Sequence, residues 1–337
     1  MQNARLASQS GAGLVDLCFP DDIMLRRMDR PRFEQCLATS LTAIKSHDLA
    51  QAQKSLEEAL SLNYEDKRVV GLLKYVGFWR ERQRYLVNIQ DNLEKSHYLL
   101  QEWAHFQPFM QRVNLSDDEI NYALRQLVFG QALNLMSVYN NEAGVREPEV
   151  LYLIGVCLKG LGNYDSARRF LESANTIRRE APAIMADLAD AYALVGDSEL
   201  AKVLFREAFF INPQEVRLET LESEMMVRLI QAVHETGYHG VQLLEWLPIY
   251  GQLLGVFSIK RELRAIEYGK LLQNIYNLER EYQEGMGDPT LSLPRLINKY
   301  FWLMDYYLRS QQDRKRVQEI LLKIRSLAPT IYELYTK

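Results

Sequence analysis

Few side chains in this chain stand at spacings that make chemistry. The histidines are His47, His97, His105, His234 and His239. A compact metal site needs ligands on one helix face or in one short loop. His234 and His239 are five residues apart, which sends them to different faces of a helix. His97 and His105 are eight apart, roughly 12 Å along a helix axis. No Cys-x-x-Cys pair stands beside either couple. "GLGNYD" (160–165) begins like a glycine-rich phosphate loop, but it lacks the third glycine and no strand pattern precedes it. Cys157 lies among apolar residues and reads as a small packed hydrophobe rather than a nucleophile. No serine sits in a nucleophile-elbow glycine pattern. The carboxylates alternate with Lys and Arg, as on solvated helix faces. These patterns predict no enzyme, no cofactor and no metal.

Bulk properties narrow the class. The chain has 337 residues, 47% of them hydrophobic, and a net charge of −4. That is enough for one large domain or two ordinary ones. The balance argues against a nucleic-acid binder, which needs a concentrated basic surface. "RERQR" (80–84) and "DRKR" (313–316) read as solvated helix faces. Three cysteines, Cys18, Cys36 and Cys157, are too few and too odd for a disulfide framework, and they fit a reducing, cytoplasmic location. Leu14, Val15 and Leu17 before Cys18 have the outline of a lipoprotein leader, but Asp16 and Leu17 stand where that leader needs small residues. The apolar run 241–257 contains Glu245 and Pro248, and reads as a buried or interfacial helix rather than a membrane span.

Apolar residues recur at three and four over most of the length, which predicts an all-helical chain. Residues 1–20 read as a poorly ordered tail. Asp21 and Asp22 are candidate N-caps. Ser116 and Glu119 form a capping box for a helix over 120–139, stopped by Asn140, Asn141 and Gly144. Residues 66–106 carry one long, break-poor helical pattern. Within it Leu86, Leu93 and Leu100 make a short seam for a neighbouring helix of the same chain. A second break-poor stretch, 258–284, ends at the loop "GMGDP" (285–289).

The strongest signal is a repeat. "GLGNYDSARRFLESA" (160–174) returns thirty-four residues later as "LVGDSELAKVLFREA" (194–208). Pro148, Gly162, Ala167, Leu171 and Ala174 align with Pro182, Gly196, Ala201, Phe205 and Ala208. Leu151, Ile154, Gly155 and Leu158 make one face of a first helix. Ala167, Leu171 and Ala174 make the face of a second. Gly155 opposite Ala167, and Ala189 opposite Ala201, let the two backbones approach. A lone hairpin cannot bury such faces, so copies must stack.

This pattern resembles the tetratricopeptide repeat family, closely over 148–215. Weaker units fit at 33–66, with Ser40 opposite Ala52, and at 298–331, where Asp305 and Val317 replace the small pair. The resemblance implies an all-α, right-handed superhelical solenoid of antiparallel helical hairpins. Its regions are an N-terminal helical region over 21–145, two clear units over 146–215, a helical region over 216–297, and a weak unit with a cap over 298–337. It also implies a scaffold or adaptor that holds a partner protein or peptide on an inner face lined by first-helix positions. Carried onto this sequence, that face is Glu149, Tyr152, Val156 and Lys159, then Asp190 with Asp187 beside it. In the last unit it is Lys299, Trp302, Tyr306 and Arg309. Val156, Ala186 and Asp190 stand where chaperone-tail clamps carry basic or amide residues, so such a clamp is not expected. Asp187 and Asp190 point to a partner that is apolar with basic character. The aromatic run 300–309 reads as core or as a self-association surface. The alternative function is a helical groove for a lipid or small apolar ligand, or a self-assembling structural protein.

Overall fold

A computed structural model of the chain describes residues 20–115, 117–143, 147–258, 262–309 and 314–337, with the side chains of 20–29 and 139–143 excepted. The tail expected at 1–20, all but Pro20, lies outside these residues, as do Cys18, Ser116, Gly144 and Asp313. Every regular element among the described residues is helical. In chain order they are α1 (Pro20–Lys45), α2 (Leu49–Leu62), α3 (Lys67–Leu86), α4 (Asn92–Val113), α5 (Asp118–Arg125), a π turn (Gln126–Gly130) and α6 (Gln131–Ala143). Then follow α7 (Pro148–Gly160), α8 (Tyr164–Ile177), α9 (Pro182–Leu194), α10 (Ser198–Ile211), α11 (Glu224–Glu235), α12 (Gly240–Leu253), α13 (Ala265–Gln283), α14 (Pro289–Arg309), α15 (Arg314–Leu327) and α16 (Pro329–Thr336). Neighbouring helices pack in series, giving an all-α, tetratricopeptide-like solenoid of hairpins.

The expected hairpins are α7–α8 and α9–α10, and α1–α2 is built in the same way. In each, the turn puts one residue in the left-handed region and the next residue caps the second helix. Gly162 (φ +80°) precedes Asn163, whose side chain accepts from the Ser166 N–H. Gly196 (φ +92°) precedes Asp197, which accepts from Leu200 N–H. His47 (φ +66°) precedes Asp48, which accepts from Gln51 N–H. The left-handed residue closes the first helix and the capping oxygen opens the second. Only the first hairpin uses a residue with a Cβ there. Replacing His47 by glycine is therefore expected to raise the stability of that hairpin by about 1 kcal/mol, read as a shift in its urea midpoint.

The small crossing residues behave as the repeat requires. A Cβ at Gly155 would lie 2.6 Å from Leu171 Cγ and 3.4 Å from the Ala167 carbonyl oxygen. Ala167, Ala189 and Ala201 have no exposed surface.

Several boundaries differ from expectation. α1 starts at Pro20, so Asp21 and Asp22 lie in its first turn instead of capping it. The break-poor stretch 66–106 is two helices, because the Asp91 side chain accepts from Glu94 N–H and starts α4 afresh. Asp117 caps α5, accepting from Glu119 and Ile120. α6 runs through Asn140 and Asn141 to Ala143.

The chain divides into two compact units. The first joins Met1–Tyr85 to Phe109–Leu127. Its core holds Ile44, Leu56, Leu72, Tyr75, Trp79 and Leu124. The second joins Leu86–Pro108 to Val128–Lys337, so α6 packs with the clear repeats. Within it α14 is the central helix, covered by α12, α13 and α15. The aromatic run on α14 is core: Tyr300, Phe301, Trp302 and Tyr307 are buried, and Tyr335 of α16 stacks on Phe301 at 5.3 Å. Asp305, which broke the small-residue rule, is buried in an ion pair with Arg206 of α10. The 241–257 run forms α12, with Trp246, Leu247 and Ile249 buried. No described helix is long and apolar enough to cross a membrane.

Candidate functional site

The first-helix positions of the clear units do converge, but on each other. Lys159 of α7 donates from Nζ to Asp187 Oδ1 at 2.6 Å and to Asp190 Oδ2 at 2.8 Å, both on α9. The Tyr152 hydroxyl donates to Asp187 Oδ2 at 2.8 Å. Asp190 also accepts from the backbone N–H groups of Glu222 and Ser223, at 2.8 and 2.9 Å. Those two N–H groups stand at the start of α11, where a carboxylate meets orphan donors and the positive end of the helix dipole. Lys159, Asp187 and Asp190 are each 1% exposed or less. Burial by itself pulls the Lys159 ammonium down, but the two aspartates override it and hold the group above the ordinary lysine range. Tyr152 is pushed well above the usual phenol range by burial and then by Asp187.

What covers this cluster is the chain itself. Residues 212–223 leave the α10 helix as two 3-10 turns, Pro213–Glu215 and Leu218–Thr220, and lie over Tyr152, Lys159 and Asp190 as a strap. Val216 and Leu221 anchor the strap in the core. Arg217 places its guanidinium 5.5 Å from the Tyr152 ring centroid. The Glu219 carbonyl accepts from Gln107 Nε2 at 3.1 Å. Between Val156, Lys159 and strap residues 219–222 only a void of about 20 Å³ remains, room for one water.

The expected inner-face residues therefore separate into two groups. Tyr152, Val156, Lys159, Asp187 and Asp190 are buried under the strap. Trp302 is buried against Phe210, with ring centroids 4.1 Å apart. Tyr306 stacks on Tyr268 at 4.2 Å. Glu149 keeps a third of its side-chain surface between His97 and Arg178, each 3.6 Å away, and Arg309 is exposed. The charges that pointed to a basic partner are spent inside the protein. One hint of the strap is legible in the sequence: "NPQEVRLETLES" (212–223) is the stretch after α10 without helical periodicity.

An open trough lies elsewhere in the same unit. It runs between α10 and α13 as two adjoining cavities of about 390 and 460 Å³. Phe210, Ile211, Asn274 and Lys299 line both cavities. Leu204, Glu207, Phe210 and Ile211 form one wall, a single stripe of α10. Glu267, Lys270, Leu271, Asn274 and Leu278 form the other, a single stripe of α13. The wall on the repeats thus comes from second-helix positions, which the first-helix rule does not pick.

The chemistry expected of isolated residues is also resolved. His234 and His239 do meet, with ring centroids 4.3 Å apart, because α11 ends at Glu235 and the Thr236–Gly237 turn doubles back. Among the described residues no three His, Cys, Asp or Glu side chains gather as a metal site. Cys157 is fully buried, and burial pushes its thiol far above the usual range, as for an inert packed cysteine. "GLGNYD" is the α7–α8 hairpin turn.

Residues 148–180 match the family model described as a tetratricopeptide repeat. No curated protein matches the chain.

Proposed function

We propose that this chain, which carries a tetratricopeptide repeat at 148–180, a fold that serves generally as a protein-interaction scaffold, holds an apolar segment of a partner protein in the trough between α10 and α13. The observation that carries this reading is the contrast between two faces. The inner face at Tyr152–Asp190 is filled by residues 212–223, whereas the trough is open along two helices. Its walls are the arrangement that receives a helical or extended segment through apolar anchors. Phe210, Leu204 and Ile211 supply those anchors, and Ile211 remains 41% exposed.

The test is a crosslinked pull-down from source-cell lysate with full-length protein, wild type beside Ile211→Asp. Ile211 ends α10 at the surface, so the charge disturbs the trough and leaves the core alone. A partner that docks there loses at least about tenfold in affinity, the cost of one interface anchor. A partner held equally by both proteins would place the docking surface elsewhere.

A further inference from the structure

The second unit holds two lysines drawn in from solvent, and their surroundings are opposite. Lys159 is clasped by two aspartates. Lys299 of α14 has no carboxylate within ion-pair reach among the described residues. Its Nζ donates to the Phe210 carbonyl at 2.6 Å and sits 3.6 Å from the Phe210 ring centroid. These contacts hold the amine in place but supply no counter-charge. Lys299 lines both cavities of the trough. Apolar surface from Met185, Leu204, Phe210, Ile211 and Leu271 lies beside it.

We propose that Lys299 is a covalent capture site for apolar aldehydes, which enter the α10–α13 trough and form an imine with its amine. The Nζ lone pair attacks the carbonyl carbon and a C–N bond forms. Both amine hydrogens pass to the carbonyl oxygen, which leaves as water, and a C=N bond remains. No oxidant or reductant is consumed. A partly desolvated lysine without a counter-charge is the form of this side chain suited to such chemistry. Burial supports the assignment by pushing the ammonium down to about 8, against a smaller opposing pull from Glu245. The other charged groups lining the cavities are Glu207 of α10, Glu267 and Lys270 of α13, Arg179 and Glu180 before α9, and Arg295 one turn earlier on α14. Glu245 is engaged by Arg295 and Glu267 by Arg264. At pH 7.5 a group titrating near 8 is about one-quarter free amine, against about one part in a thousand for an ordinary lysine.

The proposal is tested on the full chain with octanal, trapping the imine with cyanoborohydride and mapping the modified lysines by mass spectrometry. Lys270, exposed on the trough wall, is the internal reference. Lys299 is expected to be modified at least about tenfold faster at pH 7.5, the free-amine advantage less the lower nucleophilicity of a weaker base. Its rate should reach half its maximum near pH 8, and octanal should outpace a hydrophilic aldehyde of equal reactivity. Urea should erase the preference, and Lys299→Arg should remove one modified site while keeping the charge. Equal rates at Lys299 and Lys270, or no preference for octanal, would overturn the proposal. The inference does not rest on the partner reading, and the labelling pattern is read without any partner present.

Discussion

Replacing Lys159 by methionine is expected to lower the stability of the second unit by about 3–5 kcal/mol, the cost of leaving buried carboxylates without their counter-charge. Methionine fills much of the same volume, so the loss reports charge rather than a cavity. Lys159 is 1% exposed and both aspartates are as deeply buried, so no water replaces the ammonium. Tyr152 still donates to Asp187, and the strap still donates two N–H groups to Asp190, but none of these carries a full positive charge. The effect should reach the strap: amide exchange at Glu222 and Ser223 should quicken, because Asp190 protonates or turns away to find water. A loss below about 1 kcal/mol, the size typical of exposed pairs, would mean that the cluster is solvated and the strap not seated. The pH dependence has a definite sign. The Lys159 ammonium is held above the lysine range when folded, so its contribution is complete below the unfolded value, about 10.4, and drains only at higher pH. Urea midpoints between pH 6 and 9 should carry no trace of it.

The second large effect is expected at Gly160, the last residue of α7. A Cβ there would lie 2.6 Å from Phe129 Cγ and Cδ2 and 2.7 Å from Cδ1. Phe129 sits on the π turn between α5 and α6 and is itself buried, with the Trp103 ring edge-on at 5.1 Å. The opening beside the ring is the void of about 20 Å³ that Phe129 and Gly160 help to line, which is too small to take it. Gly160→Ala is expected to cost about 2–3 kcal/mol through overpacking. Helix propensity alone would stabilise the same change by about 1 kcal/mol, so the two effects differ in sign and a single urea titration decides between them. Phe129→Leu in the same chain should recover most of the loss. If Gly160→Ala proves stabilising, the close approach of α7 to the π turn is refuted.

Local information carried the repeat faithfully. The 34-residue period, the left-handed glycine before an Asn or Asp cap, and the small residues at the crossing are all set within one hairpin. They could be read from the sequence because a helix face, a turn and a cap each depend on neighbours three or four residues away. Even the weak first unit obeyed this logic, with His47 in the place of Gly162 and Gly196. The departures came where a non-local contact intervened. Asp305 broke the small-residue pattern because Arg206, ninety-nine residues earlier, pairs with it. The meeting of His234 and His239 has a local cause instead, the end of α11 between them.

The sequence by itself determined that this chain is a series of helical hairpins and where the clearest of them turn. Only the tertiary structure decided which of their polar residues face a partner and which face the protein. Asp187 and Asp190 carry the pattern of an exposed inner face, and nothing within a turn of them marks the strap that arrives from residues 212–223. Lys159 and Lys299 are the same side chain on two helices of the same unit. One became a structural ammonium and the other a candidate reactive amine, because two carboxylates of α9 stand beside the first and a carbonyl and a ring beside the second. The charge state of a buried group is set by what surrounds it in space, and helical periodicity encodes which face a residue occupies without encoding what covers that face.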